Sequence, residues 1–411
     1  MTKTLKRPEV LSPAGTLEKL KVAVQYGADA VFIGGQAYGL RSRAGNFTFE
    51  QMEEGVQFAA KYGAKVYVAA NMVMHEGNEA GAGEWFRKLR DIGIAAVIVS
   101  DPALIMIAAT EAPGLEIHLS TQASATNYET LEFWKELGLT RVVLAREVSM
   151  EELAEIRKRT DVEIEAFVHG AMCISYSGRC TLSNHMSMRD ANRGGCSQSC
   201  RWKYDLYDMP FGQERKSLKG EIPEEFSMSA VDMSMIDHIP DMIENGVDSL
   251  KIEGRMKSVY YVAAVVAAYR KAIDSYYESG AAFSVHPEWR EELEKVSHRP
   301  YTTAFAFQDP DHSAQEYVKS QPEQPYDFIG LVLEQHKEND TVKVQQRNYF
   351  KAGEVVECLT PAGDVFSVTI GRLTNKDGEE VAAAPHPLEE LTMITGQDLP
   401  PYTILRRRAR G

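Results

Sequence analysis

The chain has 411 residues, 44% hydrophobic and 25% charged. This is an ordinary globular composition, too long for one small domain. It carries 45 Lys and Arg against 59 Asp and Glu, a net charge of −14, which excludes a general polyanion-binding surface and leaves room only for local basic patches. Apolar runs long enough for a membrane span are missing, and the opening MTKTLKRPEVLSPAG has no signal-peptide core. A cytoplasmic protein with no membrane partner is therefore expected.

Along the first 255 residues, short β-branched runs alternate with amphipathic helices. The strands are read at Glu9–Leu11, Ala30–Gly34, Lys65–Ala70, Ala95–Val99, Glu116–Leu119, Arg141–Leu144, Val162–Val168 and Ser249–Ile252. Nearly continuous apolar runs suit strands covered on both faces. Thr16 opens one helix that Gly27 ends. Thr126 with Glu129, and Ser149 with Glu152, have capping-box spacing. Eight βα units without a G-x-G-x-x-G turn favour a closed (β/α)8 TIM-type barrel over an open doubly wound sheet. Between the seventh and eighth strands lies a cysteine-bearing insertion, residues 170–235, far longer than an ordinary βα loop. A helix over Tyr260–Gly280 follows, then a Pro-punctuated stretch. The alternating runs FIGLVLEQ, TVKVQQRN, GEVVECLT and DVFSVTIGRL then predict a small C-terminal all-β, barrel-like domain. The expected organisation is a barrel domain over 1–285, a linker over 286–325 and the β domain over 326–411.

Four of the five cysteines fall close together, with six, fifteen and three residues between Cys173, Cys180, Cys196 and Cys200. Four thiolates complete a tetrahedral zinc site or hold an iron–sulfur cluster, and only Cys196–Cys200 has the spacing of a zinc knuckle. Cys358, in VVECLT, reads as a core residue. At the strand ends, where barrels carry their chemistry, stand Ser12, Asn71, Ser100, Asp101, Ser120, Thr121, Gln122, Arg146, Glu147, His169, Glu253 and Arg255. Arg146 and Arg255 suit a small carboxylate substrate gripped through bidentate hydrogen bonds. Basic and aromatic groups beside the cysteines (Arg189, Arg193, Arg201, Trp202, Lys203) suit a single-stranded RNA loop, and Arg406, Arg407, Arg408 and Arg410 could hold the RNA body. The chain contains no G-x-S-x-G, H-E-x-x-H or Walker A motif.

The segment EAFVHGAMCISYSGRCTLS, from Glu165 to Ser183, resembles the signature of the U32 peptidase family. SPAG at 12–15, GADAVFIGG at 27–35, CSQSCRW at 196–202, KIEGRMKS at 251–258 and VSHRPYTTAFAF at 296–307 agree with it in the same order. The family is named for a collagenase-like peptidase activity, but the resemblance is closest to a branch linked to oxygen-independent 5-hydroxylation of the wobble uridine of tRNA. It implies a 4Fe–4S cluster by type, not ligand by ligand, and prephenate as co-substrate; together with their clustering this makes Cys173, Cys180, Cys196 and Cys200 the candidate ligands, with zinc the alternative that the cysteine count leaves open. Glu165, His169 and Glu253 are then the candidate catalytic residues. Ser12, Asn71, Gln122, Arg146, Lys251 and Arg255 are the candidates for binding substrate. The expected partners are the tRNA anticodon loop, a small carboxylate and a homologous U32 subunit. Two other readings stand beside hydroxylation: U32-type proteolysis, and a non-catalytic, cluster-bearing subunit of a hydroxylase pair.

Overall fold

A computed structural model of the protein describes residues 6–40, 45–205, 225–307, 309, 311–319 and 321–409. The chain divides into two compact units. The first comprises Met1–Leu17, Asp29–Met256 and His298–Pro322, and the second Glu18–Ala28, Lys257–Ser297 and Glu323–Gly411. No described helix is long and apolar enough to cross a membrane.

In the first unit the strands β1 (Glu9–Pro13), β2 (Ala30–Gly34), β3 (Lys65–Ala70), β4 (Ala96–Val99), β5 (Glu116–Leu119), β6 (Arg141–Val143), β7 (Glu163–Ala171) and β8 (Ser249–Ile252) pair in parallel with their neighbours. β8 meets both β1, with Leu11 opposite Lys251, and β7, with Glu165 opposite Ser249, so the sheet closes into the expected barrel. All five residues of β2 are buried, and each such Val, Ile or Phe contributes about 1.5–3 kcal/mol by leaving water.

The intervening helices follow local capping chemistry. Ser149 and Glu152 form the expected reciprocal box, with bonds of 3.2 and 2.8 Å between each side chain and the other's backbone N–H. Thr48 and Gln51 form a second such box. The box expected at Thr126 is absent. The helix Tyr128–Glu136 is capped by Asn127, whose Oδ1 accepts the Thr130 N–H at 2.9 Å. Asn127 lies in extended backbone, from which its short amide reaches the exposed donors of the first turn.

β7 runs three residues past its expected end. Beyond the barrel it pairs antiparallel with Asp232–Ser234, Ala171 facing Asp232 and His169 facing Ser234. That strand pairs in turn with Tyr301–Thr302. The insertion thus leaves and rejoins the barrel at one hydrogen-bonded ladder. Its segment 206–224 lies outside the described residues.

The second unit contains an eight-stranded antiparallel sheet. Its order is 365–369, 355–359, 404–408, 326–336, 341–346, 390–394, 373–374 and 380–381. Alternating burial along Thr341–Gln346 turns Val342 and Val344 inward, onto Ile329, Leu391 and Leu405. Cys358 is fully buried there, and burial pushes its thiol up to about 12. The unit also holds the helices Val259–Ser279 and Pro287–Lys295, the latter within the stretch read as a linker.

The expectation that the C-terminal arginines present themselves to RNA is overturned for Arg406, which is fully buried. Its guanidinium donates to Glu357 at 2.6 Å, Glu292 at 2.6 and 2.7 Å, and the Tyr260 hydroxyl at 3.1 Å. A desolvated charge requires such partners. Arg407 donates to Glu354 at 2.6 Å. Arg408 is exposed, and Arg410 lies outside the described residues.

Candidate functional site

The C-terminal strand ends of the barrel carry most of the residues picked out by sequence. Ser12 is fully buried in β1. Asn71, just after β3, accepts the Leu40 N–H at 3.3 Å and lies 3.5 Å from the Ser120 hydroxyl. That hydroxyl in turn accepts the Gln122 N–H at 3.3 Å. These bonds link the ends of β3 and β5.

Arg146, His169 and Glu253 come together at the ends of β6, β7 and β8. Arg146 donates to the Ala171 carbonyl at 2.7 Å, lies 3.7 Å from the Glu253 carboxylate, and stacks 3.8 Å over the Phe167 ring. The Glu253 N–H donates to the His169 carbonyl at 2.8 Å. Between them Gly170 has φ +111° and touches the Glu253 backbone so closely that a Cβ would collide with it. His169 is buried, and its ring packs 5.2 Å from that of Tyr301, which stacks on His298. Arg255 lies elsewhere on the rim, its guanidinium flat against Gly34 and donating to Asn46 at 3.3 Å.

Glu165 and Lys251 lie inside the barrel. The Lys251 ammonium is 2.7 Å from Glu165, with the Phe32 ring 4.5 Å away. Arg141 reaches Glu165 at 3.3 Å and Glu9 at 2.8 Å, and Glu9 also accepts from the Tyr67 hydroxyl at 2.7 Å and Ser249 at 2.9 Å. β6 and β1 are not neighbours in the sheet, so the Arg141–Glu9 bond crosses the lumen. Burial, which alone would raise the Glu165 carboxyl, is outweighed by Lys251 and Arg141, which hold it below the usual carboxylate range.

The cysteines sit on short pieces of backbone bound tightly to one another. Cys173 follows β7, Cys180 precedes the helix Leu182–Ser187, Cys196 precedes the short turn Ser199–Arg201, and Cys200 lies within that turn. Ser183, Ser197 and Ser199 share hydroxyl bonds of 2.7–3.4 Å that tie that helix to that turn. Asn192 donates to the Cys180 carbonyl at 3.1 Å, and Arg201 to the Met172 carbonyl at 3.0 Å.

The segment between Cys173 and Cys180 is fastened to the barrel rim. The Glu147 carboxylate accepts from both the N–H and the hydroxyl of Ser177 at 2.9 Å. Gly178, at φ +74°, packs so closely on Gln122 that a Cβ would run into its carbonyl.

Burial pushes the Cys200 thiol up, Arg201 opposes this, and Cys173, Cys196 and Cys180 add to it. Among the described residues, no three His, Cys, Asp or Glu side chains gather as ligands of a single metal ion. Four thiols make a donor set whose chemistry fits an iron–sulfur cluster or a zinc ion.

The sequence profile of Peptidase family U32 matches residues 15–316, and that of the Peptidase family U32 C-terminal domain matches residues 324–406. This chain belongs to peptidase family U32. It is 50% identical over 402 residues to tRNA hydroxylation protein P1 of Bacillus subtilis, covering 98% of this chain and 95% of that one. To tRNA hydroxylation protein P of Escherichia coli it is 36% identical, covering 98% of each. It is also 36% identical to the Escherichia coli 23S rRNA 5-hydroxycytidine C2501 synthase, over 74% of this chain and 46% of that protein.

Sequence reasoning missed three parts of this U32 site. Glu9 and Arg141 read as strand edges, yet they form the far side of the lumen network. Their signal was period-two alternation of charge in apolar strands, Glu163 and Glu165 in β7, Ser249 and Lys251 in β8. Ser177, with Gly178, fastens the first cysteine segment. Tyr301 and His298, inside the quoted VSHRPYTT motif, stand against His169.

Proposed function

We propose that this chain takes part in oxygen-independent 5-hydroxylation of the wobble uridine of tRNA, with a 4Fe–4S cluster on Cys173, Cys180, Cys196 and Cys200 and a small carboxylate, prephenate by analogy, as oxygen donor. One observation carries the reading: the likeness to proteins named for tRNA hydroxylation spans nearly the whole of both chains.

The geometry supports a division of labour. Hydroxylating an sp² carbon without dioxygen needs an oxidising centre, and a bound cluster supplies electron-transfer chemistry that no side chain offers. Arg146 provides a planar donor for a carboxylate, whereas Arg255 lies apart from it on the rim. Arg146 holds Glu253 only at 3.7 Å, a contact that an incoming carboxylate can displace. Glu253 stands beside Arg146, placed to hold or move a proton, and the His169 ring faces Tyr301. The Glu165–Lys251 pair supplies fixed charge beneath them. A peptidase reading needs a free, activated nucleophile, and a thiolate committed to a cluster cannot serve as one.

The test is deletion of the gene, in a host also cleared of paralogues, followed by mass spectrometry of tRNA nucleosides. Loss of 5-hydroxyuridine derivatives, restored by the wild-type gene but not by Cys180→Ala, is expected. An unchanged nucleoside profile refutes the reading. For the donor site, calorimetry with prephenate should show Arg146→Lys binding about tenfold or more weakly, since a point charge replaces a fork. Equal affinity removes Arg146 from the site.

A further inference from the structure

Beside the cysteines is a cavity of ≈340 Å³. Trp202, Arg189, Cys196, Ser197, Gln198 and Met256 are among its walls. The volume falls at the small end of ligand pockets. Among the described residues the lining includes no Asp or Glu, which is unusual for an acidic chain.

Three observations bear on what fills it. Trp202 is 41% exposed, and its ring stacks on no aromatic partner among the described residues. An indole left at a pocket wall gives up burial that a core Trp would gain, and it offers a flat apolar face. Arg189 makes no side-chain hydrogen bond or ion pair among the described residues, whereas the neighbouring Arg201 is held by the Ser229 hydroxyl at 3.1 Å and the Met172 carbonyl at 3.0 Å. Among the described residues, one cation is therefore structural and the other uncommitted. Gln198 adds an amide to the wall near Cys196 and is held in left-handed backbone at φ +56°, while the Ser197 hydroxyl is bonded to Ser183 and Ser199.

We infer that this cavity is the pocket for the target nucleotide: the uracil ring, turned out of its loop, stacks on Trp202, and the flanking phosphate pairs with Arg189. The inference rests on the proposed tRNA reading and adds the place where the base is held. A flat π face, amide donors and acceptors for a base edge, and one uncommitted cation together make up single-stranded nucleotide recognition. A small dicarboxylate would instead call for two available cations, and Arg201 is already committed. The pocket wall includes Cys196, so a base seated there lies against the cysteine group.

The experiment uses the full chain, purified anaerobically, and two synthetic anticodon hairpins, one with uridine at the wobble position and one abasic there. Trp202→Ala should weaken the uridine hairpin about tenfold and leave the abasic hairpin unchanged, with iron content equal to wild type. Trp202→Phe should keep most of the affinity. Arg189→Ala should weaken both hairpins alike and lower the salt slope by about one. In the wild-type protein, 4-thiouridine at the wobble position should photocrosslink within residues 196–202. A Trp202→Ala effect equal on both hairpins, no effect at all, or crosslinks confined to other segments overturns the inference. None of those outcomes touches the nucleoside profile of the deletion strain, on which the tRNA reading itself depends.

Discussion

The barrel lumen and the cysteine insertion use polar residues in opposite ways. In the lumen, Glu9, Arg141, Glu165 and Lys251 satisfy one another across strands, and every charge meets an opposite one. In the insertion, hydroxyls and amides tie the backbone together, while Cys173, Cys196, Trp202 and Met188 remain exposed. A closed network fixes a shape, and an open one leaves groups for a ligand. The barrel is therefore expected to carry stability and the insertion to carry chemistry.

The largest effect should come from opening the closed network. Lys251→Met leaves Glu165 buried without its nearest cation and should cost about 3–5 kcal/mol in urea denaturation. Pairing it with Glu165→Gln should recover much of the loss. A small cost for Lys251→Met alone would erase the contrast between the regions.

Gly178→Ala tests where they meet. Its left-handed backbone and the nearby Gln122 carbonyl predict a cost of about 1–3 kcal/mol and poorer retention of iron. Full iron with unchanged stability would mean that the rim does not position the first cysteine segment.

Acid should act through the lumen and its lower edge. Burial alone would raise the Glu163 carboxyl, but Lys6 and Arg141 bring it down from 4.5 to about 2. A depressed carboxyl contributes fully above its unfolded value and loses that contribution as pH falls through the folded one. Stability should therefore decline from about pH 4.5 towards 2, and Glu163→Gln should flatten that decline. Glu163 is 36% exposed, so solvent screening keeps its share small. An identical pH profile in the variant would contradict the assignment.

The smallest stability effect belongs to the insertion. In iron-free protein, Cys180→Ala should shift stability by no more than about 0.5 kcal/mol. In anaerobically reconstituted protein the same change should drop iron from about four per chain to background. Stoichiometric zinc without sulfide in the wild type would instead identify a mononuclear site.

The barrel was readable because its evidence is local. Eight apolar runs with capped helices between them fix strand positions within a few residues. Features set by distant partners were not readable. Arg406 looks like part of a solvated basic tail until Glu357 and Glu292, 49 and 114 residues away, are brought to it. β7 looks complete at Val168 because nothing nearby announces that Asp232 will extend it. The cysteines could be found by counting, whereas their fastening through Ser177 and Gly178 depends on rim residues that only the closed barrel supplies. Asn127 displaced Thr126 as a cap because two adjacent polar residues compete for the same donors and backbone angles decide between them.

The ladder joining β7 to Asp232–Ser234 has a consequence for how this fold tolerates change. It clamps both ends of the insertion, so the excursion between Ala171 and Asp232 is a loop whose closure is already secured at its base. Closure entropy grows only logarithmically with contour length, by about 0.6 kcal/mol per doubling. Residues added to or removed from the middle of that excursion should leave strand register in the barrel untouched. The insertion can then change length while the scaffold beneath it stays the same.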